Sequence, residues 1–362
     1  FLPSPGESRA DWWIISEVAK RLGFTNQFAY TEPADIFKEY ATLSGFENDK
    51  TTVRDFDISA LKDLSYTDYD DLQPVQWPVK ESASGQARMF TDGKFYTQSG
   101  KAQFITIKNS LPALQTSDEY PLVMNTGRVR DHWHTMTRTG KSARLSGHIY
   151  EPYVEVHPDD ANAFAIQDSG LAKVSSKHGE VIVRVKKTDS QRKGSLFIPM
   201  HWNDQFASKA VVDSLFSSDT DPISGQPEYK HTPVSISNYE AKWHGFILSR
   251  RRLNIVNASY WSVSRGTGLW HYEIAGEQAP QNWGECARSL LCQQADKVEW
   301  TEYFDPAVNR YRAARIENAR LESCIFIGPD ITLPERGWLK ELFADAVSYT
   351  HLTLPTIRRG CC

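Results

Sequence analysis

The chain has 362 residues, a formal net charge of −4, 40% hydrophobic residues and 12% aromatic ones. That length predicts two or three domains with enough chain to bury real cores. The mildly acidic balance argues against a nucleic-acid or membrane partner, and no apolar run is long enough to span a bilayer.

Two helices are predicted first. Ser8-Arg9-Ala10-Asp11 has the form of a capping box, and Trp12, Trp13, Ile15, Val18, Ala19 and Leu22 then recur at helical spacing until Gly23. A second helix is predicted over 33–43, with Pro33 early and Ile36, Phe37, Tyr40 and Leu43 on one face. Residues 57–72 suit one or two short helices, and 74–78 a proline-bounded extended linker. Arg88-Met89-Phe90 and Lys94-Phe95-Tyr96 flank Thr91-Asp92-Gly93, which predicts a hairpin, and 102–107 another strand.

From about Tyr120 the pattern is one of short strands: 121–124, 153–156, 171–175, 179–185 and 194–199, spaced by turn residues as in an all-β barrel. His157-Pro158-Asp159-Asp160 opens a short helix over 160–165. A third region from about Trp243 predicts strands at 246–248 and 253–256, an antiparallel meander over 300–304, 311–316 and 319–327, and a final helix over 334–346. No internal repeats or low-complexity tracts are present.

The chemistry concentrates in residues 125–142. Arg128, Arg130, Arg138, Lys141, His132 and His134 surround a single acid, Asp131, and Gly127 and Gly140 are interleaved with hydroxyl side chains. Glycine lets a backbone approach closely, hydroxyls and backbone N–H groups bind phosphate oxygens, and arginine donates in a planar fork. Such a segment suits a large polar anion better than a plain solvated loop. His132 and His134 would share a face on a strand and could hold a metal, but no third ligand stands near and the arginines repel a cation. His201-Trp202-Asn203-Asp204 follows an apolar strand, where it either lines a ligand site or closes a core. Lys230 ends a turn-rich loop and reads as a surface lysine on its own.

No nucleophile elbow, Walker loop or dinucleotide glycine fingerprint appears. The five cysteines, Cys286, Cys292, Cys324, Cys361 and Cys362, have no zinc or iron–sulfur spacing. They fit a reduced, cytoplasmic chain, with Cys324 a buried core thiol. Both ends read as truncated: Phe1 opens on a Pro/Gly-rich loop, and 347–362 has the character of a sequencing artefact.

Residues 125–142, with Thr126-Gly127-Arg128 and His132-Trp133-His134-Thr135, resemble the cofactor loop of the molybdopterin-dinucleotide oxidoreductases, and among them the bacterial assimilatory nitrate reductases. The resemblance extends through Asp11-Trp12-Trp13-Ile14, Phe46-Glu47-Asn48-Asp49, His157-Pro158-Asp159-Asp160-Ala161, Pro199-Met200-His201-Trp202 and residues 221–227. It covers most of the chain to about Asp330, more loosely in the third region.

That resemblance implies an α+β chain. Residues 1–115 would be a helical remnant of the central α/β domains, 116–240 a double-psi β-barrel that binds the cofactor, and 241–346 a small mixed β-rich region. The implied cofactor is molybdenum held by two molybdopterin guanine dinucleotides. Thr126, Gly127, Arg128, His132, His134, Thr135, Met136, Thr137 and Arg138 would contact it, as would His201, Trp202 and Lys230. A 4Fe-4S cluster and the molybdenum-ligating residue are expected upstream of Phe1, and an iron–sulfur domain after the third region. This portion alone would therefore be inert.

The implied activity is reduction of nitrate to nitrite by oxygen-atom transfer in the cytoplasm, with Arg138 or Lys141 drawing nitrate in. Electrons would come from ferredoxin, flavodoxin or an NADH-linked reductase subunit. The alternatives are a related oxidoreductase such as formate dehydrogenase and a non-catalytic anion-binding barrel module. The role of 241–346, docking an electron-transfer domain among the possibilities, stays open at the sequence level.

Overall fold

The computed structural model describes residues 4–48, 54–81, 85, 87–106, 108–292, 298–318 and 320–344. The tail at 347–362, with Cys361 and Cys362, lies outside them. The chain divides into two compact units, 1–109 and 110–362.

The first unit carries α1 (Asp11–Arg21), α2 (Pro33–Gly45), a single 3-10 turn at Ser59–Leu61 and α3 (Tyr66–Asp70). Its core gathers Ala41, Ile58, Leu61 and Val79, with Phe37, Phe56 and Trp77 packed against them. Two sequence expectations change here. The cap of α1 is Ala10 with no side-chain bond, because the Ser8 hydroxyl donates to the Pro5 carbonyl instead. The reciprocal boxes sit at Glu32–Asp35 and Ser65–Asp68. The apolar stripe of α1 does not face this core: Ser16 and Ala19 are buried, whereas Ile15, Val18 and Leu22 are exposed.

The hairpin at 88–96 is also corrected. Its turn forms, with the Gly93 N–H donating to the Phe90 carbonyl at 3.1 Å, but no strand ladder follows. Two short strands without a sheet to join are not stable alone, and the Phe90 and Phe95 rings stack at 4.8 Å in their place. Residues 102–106 form no strand either, and Ile107 lies outside the described residues.

The second unit begins with a closed barrel of β1 (Leu122–Gly127), β2 (Tyr153–Val156), β3 (Leu171–Ser175), β4 (Glu180–Lys187), β5 (Ser195–Pro199) and β6 (Thr232–Asn238), in the order β1-β5-β2-β4-β3-β6. Pairs β1–β5 and β2–β4 are parallel, and the other pairings are antiparallel. Alternation puts Val181, Val183 and Val185 of β4 into the barrel core. Two short helices interrupt the strands: α4 (Ala143–Ser146), capped by the Ser142 hydroxyl, and α5 (Pro158–Ala163), capped by His157. β6 escapes sequence reading because its second residue is Pro233, which has no N–H to give a ladder.

A six-stranded antiparallel sheet follows: β7 (Trp243–Ser249), β8 (Tyr260–Gly266), β9 (Leu269–Gly276), β10 (Glu299–Asp305), β11 (Arg310–Glu317) and β12 (Arg320–Gly328), in the order β10-β11-β12-β7-β9-β8. Helices α6 (Trp283–Leu291) and α7 (Gly337–Ala344) pack on it. The meander over β10–β12 and the last helix are as the sequence predicts, with modest boundary shifts. The strand expected at 253–256 is absent: the Leu253 N–H donates to the Tyr272 hydroxyl at 2.7 Å, so a side chain takes the place of a ladder. Among the described residues, no helix is long and apolar enough to cross a membrane.

Barrel and sheet meet along a seam where Ile182, on the outer face of β4, packs with Tyr260 and Ala275. Beside them Arg184 donates to both carboxylate oxygens of Glu151, at 3.0 and 2.7 Å, and the Tyr260 hydroxyl donates to the same carboxylate at 2.8 Å. On the same face, lining one cavity with Glu151 and Arg184, Glu273 accepts from His271 and from two nitrogens of Arg336. Removing one member of a buried pair strands the other, so Glu151→Ala should lower stability by about 3–5 kcal/mol in urea unfolding. A loss well under about 1 kcal/mol would show the pair to be effectively solvated.

Burial opposes ionisation of Glu273, but His271 and Arg336 outweigh it and hold its pKa below the ordinary 4.5. A depressed carboxylate contributes stability above its unfolded pKa and loses it as pH falls through the folded one. Thermal unfolding between about pH 7 and pH 3 should therefore show a fall beginning near pH 4.5 that Glu273→Gln flattens. An equally steep fall in that variant would place the acid sensitivity elsewhere.

Candidate functional site

The parallel register of β1 and β5 sets Gly127 opposite Pro199. Both strands therefore leave the barrel at the same end, and the segments following them emerge side by side, a common place for ligand sites. The Thr126 hydroxyl joins the two strands by donating to the Ile198 carbonyl at 2.7 Å, and the Met200 N–H continues the ladder to the Gly127 carbonyl at 2.9 Å. Lys230, just before β6, returns to this end, its ammonium donating to the Thr126 carbonyl. A Cβ on Gly127 would lie 3.2 Å from the Phe197 ring.

The chain after β1 then folds back on the segment after β5. His201 is buried, and its Nε2 accepts the Val129 N–H at 3.1 Å. The proton of the neutral ring therefore sits on Nδ1, which is buried and has no partner among the described residues. Burial, with His132 and Arg128 nearby, pushes the His201 pKa down to about 4. The His132 ring packs edge-on against His201 and Trp202, at centroid distances of 5.9 and 5.7 Å. Its Nδ1 lies 3.2 Å from the Thr139 hydroxyl, and burial lowers its pKa.

His134, Thr135 and Met136 form an arch with three successive positive φ angles, 42°, 49° and 61°. Met136 points inward and is buried; His134, Thr135, Thr137 and Arg138 are exposed. The Thr135 and Thr137 hydroxyls both donate to the His134 carbonyl at 2.8 Å. Gly140 is buried at the far foot of the arch, where a Cβ would stand 2.6 Å from the Phe206 ring. His132 and His134 are thus not on one face: one is buried, the other exposed. Among the described residues no group of three His, Cys, Asp or Glu could hold a metal.

The electrostatics of this end are one-sided. Asp131 is taken by Arg130 at 3.1 Å and His148 at 3.0 Å. The Arg128 guanidinium lies 5.1 Å from the Trp133 ring centre. Arg138 and Lys141 are exposed and, among the described residues, have no carboxylate partner. All twelve residues expected to contact a cofactor thus lie in three segments: 126–138, 201–202 and Lys230. Lys230, which the resemblance alone singled out, is tied to Thr126 at the foot of the first.

Sequence reasoning missed two groups, Thr139, whose hydroxyl meets His132, and Phe206, the wedge against Gly140; it named Asn203 only within the motif 201–204, without its bond from Nδ2 to the Thr135 carbonyl at 3.3 Å. Thr139 and Gly140 stand within the basic run. The partners of Asn203 and Phe206 are some seventy positions away in sequence, which no local pattern reveals.

Residues 122–233 match the family described as "Molydopterin dinucleotide binding domain", a range holding every one of the twelve residues. The chain is 43% identical over 283 residues to a nitrate reductase of Klebsiella oxytoca, covering 78% of this chain and 32% of that protein. It is 33% identical over 240 residues to the assimilatory nitrate reductase catalytic subunit of Bacillus subtilis, covering 65% and 31%. It is 30% identical over 232 residues to formate dehydrogenase H of Escherichia coli, covering 63% and 29%. The chain spans about a third of the length of the curated relatives it matches.

A histidine whose folded pKa is depressed favours the folded state above its unfolded value and loses that contribution as pH falls toward the folded one. An NMR titration should therefore find His201 neutral at pH 7 with a midpoint near 4, and stability falling as pH drops from 6.5 toward 4. A midpoint at 6.5 would mean the ring is solvated and the bond from Val129 is not formed.

Proposed function

We propose that the chain, whose residues 122–233 match the molybdopterin dinucleotide-binding domain, is the cofactor-holding portion of a molybdenum nitrate reductase. The observation that carries the choice of substrate is the 43% identity to a nitrate reductase over 78% of the chain. The formate dehydrogenase reading has the weaker support of 30% identity over 63%.

The residues at the barrel end fit a molybdopterin guanine dinucleotide. A pyrophosphate needs cationic donors, and the exposed Arg128, Arg138 and Lys141 offer them. A large heteroatom-rich ligand also satisfies buried polar groups that otherwise lack a partner. His201 Nδ1 is such a group. Neutral His201 would donate from Nδ1 without adding charge, while His132 and Trp202 keep its ring oriented. Lys230 would hold the end of β1 in place and add positive potential.

When bound, the molybdenum centre supplies the oxygen-atom transfer that turns nitrate into nitrite. This chain's own part is binding and electrostatics. Exposed cations such as Arg138 and Lys141 would raise the local concentration of a small anion.

The wider reading is also a proposal. The barrel is of the double-psi kind, which its parallel pairs β1–β5 and β2–β4 within a closed ring support. Residues 1–115 belong to the central domains, 116–240 to the barrel and 241–346 to a separate mixed region. A 4Fe-4S cluster elsewhere in the intact cytoplasmic enzyme takes electrons from ferredoxin, flavodoxin or an NADH-linked reductase subunit.

The test uses the intact enzyme that contains this chain, purified with its cofactor. With a reduced viologen dye it should form nitrite from nitrate and should not oxidise formate; the reverse pattern would sink the reading. Arg138→Ala and Lys141→Ala should each lower cofactor retention by about three- to tenfold, the effect of one charged hydrogen bond to phosphate.

A further inference from the structure

The arch at His134, Thr135 and Met136 is costly. Each left-handed residue other than glycine is strained, and Thr135 is β-branched as well. Strain of this kind persists only where the surroundings over-determine it. The second sheet supplies the surroundings. Asn203 donates from Nδ2 to the Thr135 carbonyl at 3.3 Å and accepts at Oδ1 from the Gln205 N–H at 2.9 Å, so one amide links the arch to the segment after β5. The Asn203 carbonyl accepts from both the Phe206 and Ala207 N–H groups at 3.0 Å.

That segment is itself sewn to β8, the strand at one edge of the sheet. Ala207 forms an antiparallel bridge with Ser262. The Val263 N–H donates to the Phe206 carbonyl at 2.8 Å, and the Ser208 N–H to the Trp261 carbonyl at 2.9 Å. The Trp261 N–H donates to the Ser208 hydroxyl at 3.0 Å, and Arg252 to the Gln205 carbonyl at 2.7 Å. An edge strand left open would be a liability, and here it is covered by the loop it holds.

We propose that Asn203 is a positioning residue for the cofactor loop, holding the strained arch at 134–136 in its binding conformation, and that edge strand β8 acts as the brace behind it. This gives the region from 241 onward a role in the site without contact to the ligand. It rests on the reading of 126–138 as the cofactor-contacting segment.

Asn203→Asp tests the clamp with little change of shape: it keeps the acceptor for Gln205 and replaces the donor to Thr135 with a repelling oxygen. Ser208→Ala tests the brace by removing the acceptor for Trp261. Hydrogen exchange by mass spectrometry on the full chain should show the Met136 and Thr137 amides exchanging about fivefold or more faster in Asn203→Asp, the size of one lost hydrogen bond. Ser208→Ala should give a smaller rise at the same amides. Peptides from β2 and β4 should be unchanged, and the melting temperature should stay close to that of the parent.

Unchanged exchange in the arch would overturn the proposal, as would loosening spread evenly through the barrel. Guanosine diphosphate, as a pyrophosphate probe, should bind Asn203→Asp about fivefold more weakly than the parent in calorimetry. If the parent binds no probe while arch exchange still rises in the variant, the clamp stands and the ligand reading falls.

Discussion

The parallel pairing of β1 with β5 is the constraint on which the rest of this site depends. Antiparallel neighbours leave a sheet at opposite ends; a parallel pair sends both chains on from the same end. With Gly127 set against Pro199, the segments beginning at Arg128 and Met200 start as neighbours. His201 is then within reach of Val129, and Asn203 within reach of Thr135. A one-residue slip would turn each side chain to the opposite face. Thr126 guards against it by fastening its hydroxyl to the carbonyl of Ile198 across the pair.

Charge separates the two ends of the second unit by kind. Along the seam, charged groups are buried and compensated: Arg184 with Glu151, Arg336 with Glu273. Desolvation there is severe, so an unmatched ion would destabilise the fold. At the barrel end the cations are exposed and mostly unmatched, which costs little in water and leaves them available to an anion. His201 also holds a buried donor there that has no partner among the described residues. The exposed cations without carboxylate partners among the described residues are what suit the barrel end to an anionic ligand.

Much of this was legible in the sequence, for identifiable reasons. The strands at 153–156 and 171–175 are read to the residue because alternation and flanking turns agree there. The basic run between Asn125 and Ser142 stood out because its composition differs from a neutral background. What stayed hidden was long-range. β6 opens on a threonine and a proline and is defined only by the neighbours that close the ring, β1 and β3. The hairpin of β8 and β9 did carry a local sign, aromatic strands around Gly268 with φ of 68°, and it was overlooked. The reverse error came at 88–96, where a sound turn signal had no sheet to extend it. Lys230 shows the limit most clearly: nothing local distinguishes it from a surface lysine, yet it lies against Thr126.

The strained arch shows why a sheet that contributes no expected contact belongs to the site. Glycine at 134 or 135 would relieve the backbone strain. Three larger residues form the arch instead, so each side chain must return something. Met136 fills the core beneath the arch, the Thr135 hydroxyl closes on the His134 carbonyl, and the His134 ring stands edge-on to Trp133. Against about 1–3 kcal/mol of strain per residue, the Asn203 bond and the Phe206–Gly140 contact add support from outside the arch. The segment carrying that support is itself bonded along its backbone to β8. The rigidity of the loop thus derives from a strand whose residues are more than a hundred positions away in sequence.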